Sequence, residues 1–254
     1  MHIHLADFSG TLLVYFLVFA RTGAMIMLLP SVGEASVPAQ VRLVLAMAVS
    51  FALAPGMAGQ YPSVAPTNEL ALGLLVFQEL TSGLLIGAMA RIITSGLTVA
   101  GALIATQTGL SYAQQVDPTM GEQSVVVSNF FSLLGAVLIF ATNLHHLAIG
   151  AVAGSYAMIP PGAALPTGDM AELTIRLVSG SFALGLQLAA PFLVFGFAVN
   201  AGMGLLARLM PQLQVFFIAM PVNILAGFLL IILLLGSMMT LFLNYFATQM
   251  GSFG

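Results

Sequence analysis

The run VFFIAMPVNILAGFLLIILLLGSMMTLFLNYF, residues 215–246, contains no charged side chain. A helix needs roughly 20 apolar residues to cross a hydrocarbon core about 30 Å thick, and this run is longer than that. It reads as a membrane-crossing helix. Moving outward from it, residues 174–200, 124–158 and 11–29 form similar apolar stretches. Residues 70–107 form another, broken mainly by Arg91 and too long for one simple span, so it reads as a hairpin or a long tilted helix. Residues 41–54 are short for a full crossing. The expectation is an all-α membrane protein of about six long apolar helical segments and hairpins.

Composition supports the same class. The chain of 254 residues is 60% hydrophobic and only 5% charged, with a mean hydropathy of +1.09. That leaves far too few ionisable groups to coat a soluble domain. The net charge of -3 rests on five arginines and eight carboxylates, so there is no basic patch for nucleic acid. Cysteine is absent, which removes disulfides, thiolate metal sites and cysteine nucleophiles. Lysine is absent too, and with it the phosphate-binding lysine of a Walker loop and Schiff-base chemistry. Residues 1–10 hold no basic run ahead of the first apolar stretch, so no cleaved signal peptide is expected.

Residues 30–38, 55–66 and 160–169 are dense in Pro, Gly, Ser and Thr and read as turns. Gly83-Leu-Leu-Ile-Gly87 and Gly150-Ala-Val-Ala-Gly154 carry small residues four apart, where helices can approach closely in lipid. Packing within the chain is the expected use of both; a homodimer face is the alternative. Arg21, Glu79 and Arg91 fall inside apolar stretches, and burying a lone charge in lipid costs at least about 2.5 kcal/mol. Arg21 and Glu79 must therefore face protein, water or a partner subunit. A mutual pair is one solution and contact with a partner is the other.

The inventory is poor in catalytic constellations. Gly109-Leu-Ser-Tyr-Ala113 misses the last glycine of a nucleophile elbow and follows no strand. His145 and His146 point about 100° apart on a helix, unlike an i, i+4 chelating pair, and mark a helix end, a polar helix contact or the membrane boundary. The carboxylates Glu34, Glu69, Asp117, Glu122, Asp169 and Glu172 lie in loops or at segment ends. No catalytic residue, metal site or cofactor is expected. What remains is a polar break from Gly109 to Gln123 between two apolar helices, which also carries Tyr112, Val116 and Met120. Irregular backbone is tolerated at membrane depth only where protein buries it or it lines an aqueous path. A solvated connecting loop is the other reading.

Several motifs together resemble the FliR family, the export-gate subunit of flagellar type III secretion, with its injectisome counterpart SctT. They are Arg21, then Pro30-Ser-Val-Gly-Glu-Ala-Ser-Val-Pro38 and Val41-Arg42, then Gln78-Glu79 ahead of Gly83. Further along come Gln107-Thr-Gly-Leu-Ser-Tyr-Ala113, Asp117-Pro118, Asn143-Leu-His145 and Pro211-Gln-Leu-Gln-Val-Phe-Phe217 before Pro221. His146 departs from the pattern, where an aliphatic residue is expected. The resemblance covers nearly the whole chain.

It implies a FliP-like helical part over residues 1–173 and a FliQ-like helical hairpin over residues 174–254. It also implies assembly with FliP-like and FliQ-like subunits and with FlhB-like and FlhA-like export proteins at the bacterial inner membrane, passing unfolded protein substrates. Finally, it implies that a loop plugs the central pore. The matching positions are Gly109, Leu110, Ser111, Tyr112, Ala113, Gln114, Gln115, Val116, Asp117, Pro118, Met120 and Gly121, with hinges at Gly109 and Gly121. Two rivals remain: a stand-alone secondary transporter or channel using Arg21, Glu79 and the break near Gly109, and a structural nucleus for assembly outside the barrier.

Overall fold

A computed structural model describes residues 5–34, 37–61, 69–110, 126–210 and 215–252. Among the described residues seven α-helices follow one another: α1 (Leu5–Leu28), α2 (Ala39–Met57), α3 (Glu69–Gln107), α4 (Val126–Ala141), α5 (His145–Met158), α6 (Thr167–Leu209) and α7 (Val215–Gly251). A single 3-10 turn, Ala58–Gln60, extends α2. No strand is present among the described residues. In hydrocarbon every backbone N–H and C=O must be satisfied within the chain, and a helix does so locally.

Among the described residues five helices are long and apolar enough to cross a membrane, including α2 with its 3-10 turn, Ala39–Gln60. That corrects the expectation of a short second segment, because Pro55 lies inside α2 rather than opening a loop. The run at residues 70–107 is neither hairpin nor broken. It is one helix of 39 residues, about 58 Å long, so it outreaches a bilayer core unless strongly tilted. The run at residues 124–158 is instead interrupted: α4 and α5 bend by 74° at the three residues between them. Asn143 adopts φ 60 there, a left-handed conformation that Asn tolerates better than most residues. α6 begins at Thr167, earlier than the apolar pattern implied, and carries Pro191 without ending. Pro221 is likewise inside α7.

The helices form two compact units. One comprises Met1–Ile93, Ile139–Leu177 and Phe246–Gly254; the other comprises Thr94–Leu138 and Val178–Tyr245. In the first, Leu17, Val18, Met25, Ile26, Met89, Val152 and Tyr156 are buried. In the second, Leu97, Ile104, Phe131, Leu184, Leu188, Phe192 and Phe242 fill the interior. Glycines set the close approaches. Gly83 on α3 lies against the backbone of Arg21, and a Cβ on Gly87 would come within 2.7 Å of the Met25 carbonyl. The Gly83–Gly87 pair thus packs within the chain, against α1.

Candidate functional site

The first unit holds an ion pair between Arg21 of α1 and Glu79 of α3. Both side chains are fully buried. Arg21 Nε donates to Glu79 Oε2 at 2.7 Å and Nη2 donates to Oε1 at 3.1 Å, a two-pronged contact. Nη1 donates to Ser155 Oγ at 3.0 Å, and Nη2 also donates to the Ile159 carbonyl at 3.1 Å. The guanidinium lies 3.8 Å over the Tyr156 ring. Four of its five N–H donors are therefore engaged, which is what permits burial of such a charge.

Two tyrosines and a glutamine extend the cluster. Tyr61, just after the 3-10 turn, and Tyr156 bring their hydroxyls to 3.0 Å, with rings edge to face at 5.9 Å. Burial, and then the nearby Glu79 charge, push the Tyr61 phenol far above the ordinary tyrosine range, so it stays neutral. Gln78, adjacent to Glu79, donates to the Pro160 carbonyl at 2.8 Å and accepts from the Gly162 N–H at 2.8 Å. Gly162 has φ +82. The turn between α5 and α6 is thus stitched to the same patch of α3 by Gln78 and to α1 by Arg21. Ser155, Tyr61 and Tyr156 were not anticipated; their only sequence signal is a polar group in an apolar context. Arg91 is exposed and stands about 18 Å farther along α3 than Glu79.

The second unit holds the start of the polar break. Gln107 ends α3, and its carbonyl accepts from Asn223 Nδ2 of α7 at 3.3 Å. Its amide side chain lies directly against Gly196 of α6, and the Thr108 methyl lies against Gly227 of α7. Thr108 is fully buried, with its hydroxyl donating to the Ile104 carbonyl at 2.9 Å. The next residue, Gly109, takes φ 78, a conformation open to glycine at little cost. Leu110 follows, half-buried. Ser111, Tyr112, Ala113, Gln114, Gln115, Val116, Asp117, Pro118, Met120 and Gly121 lie outside the described residues. His145 and His146 sit at the start of α5, with ring centroids 4.2 Å apart and His145 stacked on Phe140 at 4.9 Å.

Residues 12–249 match the family described as bacterial export proteins, family 1. The chain belongs to the FliR/SctT family. It is 42% identical over 217 residues to the flagellar biosynthetic protein FliR of Caulobacter vibrioides, covering 85% of this chain and 86% of that one. It is 32% identical to FliR of Escherichia coli K12, over 84% of this chain and 81% of the other. It is 27% identical to Yop proteins translocation protein T of Yersinia pestis, over 71% and 72%. Family membership and the long apolar helices together make it an integral membrane component of the flagellar and type III export apparatus. The FliR/SctT family is a family of export components and not a known enzyme family.

Proposed function

We propose that this chain is a core subunit of the flagellar export gate. It helps to form and to close the channel through which unfolded substrates cross the bacterial inner membrane at the flagellar basal body. FliP-like and FliQ-like subunits complete the gate, and FlhB-like and FlhA-like proteins engage it. Residues 1–173 supply the FliP-like part and residues 174–254, built on α6 beyond its first seven residues and on α7, supply the FliQ-like hairpin. Residues 109–123 act as the plug, with Tyr112, Val116 and Met120 supplying its apolar seal. The protein carries no chemistry of its own.

The observation that carries this reading is the contrast at Gly109. Gln107 and Thr108 are held by α6 and α7, and the very next residue has φ 78. A plug needs such a hinge on a rigid base, so that it swings without disturbing the helix behind it. Against the transporter reading, two of the three features it would use, Arg21 and Glu79, are fully buried and engaged by groups of the chain itself.

Deletion of residues 111–119 is expected to leave the complex assembled but leaky to small ions. Ion flux into cells or proteoliposomes carrying the assembled mutant measures this, and unchanged conductance would sink the plug.

A further inference from the structure

α1 and α2 run antiparallel. Tyr15 stacks on Phe51 at 5.6 Å, a Cβ on Gly23 would lie 3.9 Å from that of Ala46, and the Met27 sulfur lies 3.9 Å from Arg42 Nη1. Between them runs a groove of about 410 Å³ whose walls include Tyr15, Phe16, Phe19, Leu43, Met47 and Phe51. Its lining carries two hydroxyls, those of Tyr15 and Ser50, and Ser50 is already bonded to the Ala46 carbonyl. The walls therefore offer an occupant almost nothing but hydrocarbon and aromatic faces. Phe16 and Met47 are more than half exposed, and Phe51 is 70% exposed.

Arg42 lies at one end of this seam. It is half-buried, and its Nε is shielded from solvent without a hydrogen-bond partner among the described residues. The contact recorded for Nη1 is the weak one to the Met27 sulfur. The contrast with Arg21 and Arg176 is plain, since each of those meets a carboxylate. A guanidinium presents a planar fork that matches a phosphate, and leaving its donors unanswered is costly.

We propose that the α1–α2 groove binds one anionic phospholipid, with its phosphate on Arg42 and an acyl chain along Leu43, Met47 and Phe51. The dimensions agree. Leu43 to Phe51 covers about 12 Å of helix, close to the depth of one leaflet in a core about 30 Å thick. Arg42 lies in the first turns of the crossing helix Ala39–Gln60, where a long cationic side chain reaches headgroup level. A polypeptide would need several polar groups along the groove to orient its backbone, and the lining offers only the hydroxyls of Tyr15 and Ser50, the latter already committed. A molecule with an anionic head and a long apolar tail meets the demands of both ends.

The test uses the full-length chain in nanodiscs of phosphatidylcholine containing phosphatidylglycerol, with retained lipid counted by native mass spectrometry after release. The wild type should retain phosphatidylglycerol in preference to phosphatidylcholine. Arg42→Gln should lower that preference roughly fivefold, the worth of one cation near an anionic surface, and Arg42→Lys should lower it less. Met47→Trp, which fills the groove and leaves Arg42 intact, should expel the lipid. Arg176→Gln should change nothing. Equal retention of the two lipids, or an unchanged preference in Arg42→Gln, would overturn the proposal. So would a photo-crosslinker at Phe51 in cells that captures a polypeptide instead of lipid.

Discussion

At the residue scale the buried pair of Arg21 and Glu79 sets the strongest constraint. A charge with no exposure in an apolar protein survives only if its partner and hydrogen bonds compensate for lost hydration, and here the carboxylate, Ser155 and the Ile159 carbonyl together do so. Arg21→Leu or Glu79→Leu alone strands the other charge and should cost about 3–5 kcal/mol. The double Leu variant should recover most of that, because replacing both members of such a pair with apolar groups is often close to neutral. Charge reversal at both sites should also recover more than either reversal alone. Thermal unfolding in detergent measures all of these, and a double variant as damaged as the two singles combined would remove the pair from the account. The need for a partner was readable from Arg21 and Glu79 lying inside apolar runs. Which partner was not, because Ser155 and Tyr156 lie far away in sequence and nothing in a linear pattern of apolar residues reports a contact across that distance.

At the element scale the close approach of α1 to α3 is what brings Arg21 and Glu79 together. Gly83 is one turn beyond Glu79, and the backbone of Arg21 occupies the space a Cβ would need there. Backbone cannot yield as a flexible side chain can, so Gly83→Val should force the helices apart and lengthen the ion pair, at a cost of about 1–3 kcal/mol or more. Gly150 makes the opposite case: a Cβ there meets nothing within 4 Å, so Gly150→Ala should raise the unfolding temperature of the isolated chain, worth up to about 1 kcal/mol. If the two substitutions shift unfolding in the same direction, the packing argument fails. Both glycines head a pair of small residues four apart, and sequence alone could not tell a used seam from an open one. The helices themselves were legible because apolar length decides them. Their punctuation was less so. Pro55, Pro191 and Pro221 lie within helices, where neighbouring helices and local adjustments tolerate a lost hydrogen bond, whereas the bend at Asn143 was marked in the sequence only by the polar cluster of Asn143, His145 and His146, which signals a helix end without fixing its angle.

At the scale of the whole molecule the surface is left apolar far beyond what a lone chain needs. Only 22% of the most hydrophobic stretch of α7 is buried, and Leu225, Ile232 and Leu233 are each about 70% exposed. On α4 the exposed residues Val126, Phe130, Leu133, Val137 and Phe140 recur at helical spacing along one face. Lipid can cover the faces of helices that span, but the 74° bend between α4 and α5 interrupts the helical backbone, and at membrane depth such a break calls for protein beside it. The gate reading supplies that protein, and the transporter reading supplies at most further copies of this chain. Native mass spectrometry of the tagged protein taken from its own membrane should therefore show FliP-like and FliQ-like subunits bound to it. Substituting Leu133→Arg, which puts a charge on the exposed stripe of α4 without touching the buried side, should strip those subunits away while the isolated chain still folds. Recovery of a monomer or homo-oligomer with saturable small-solute flux would instead assign those apolar faces to lipid and to copies of the chain.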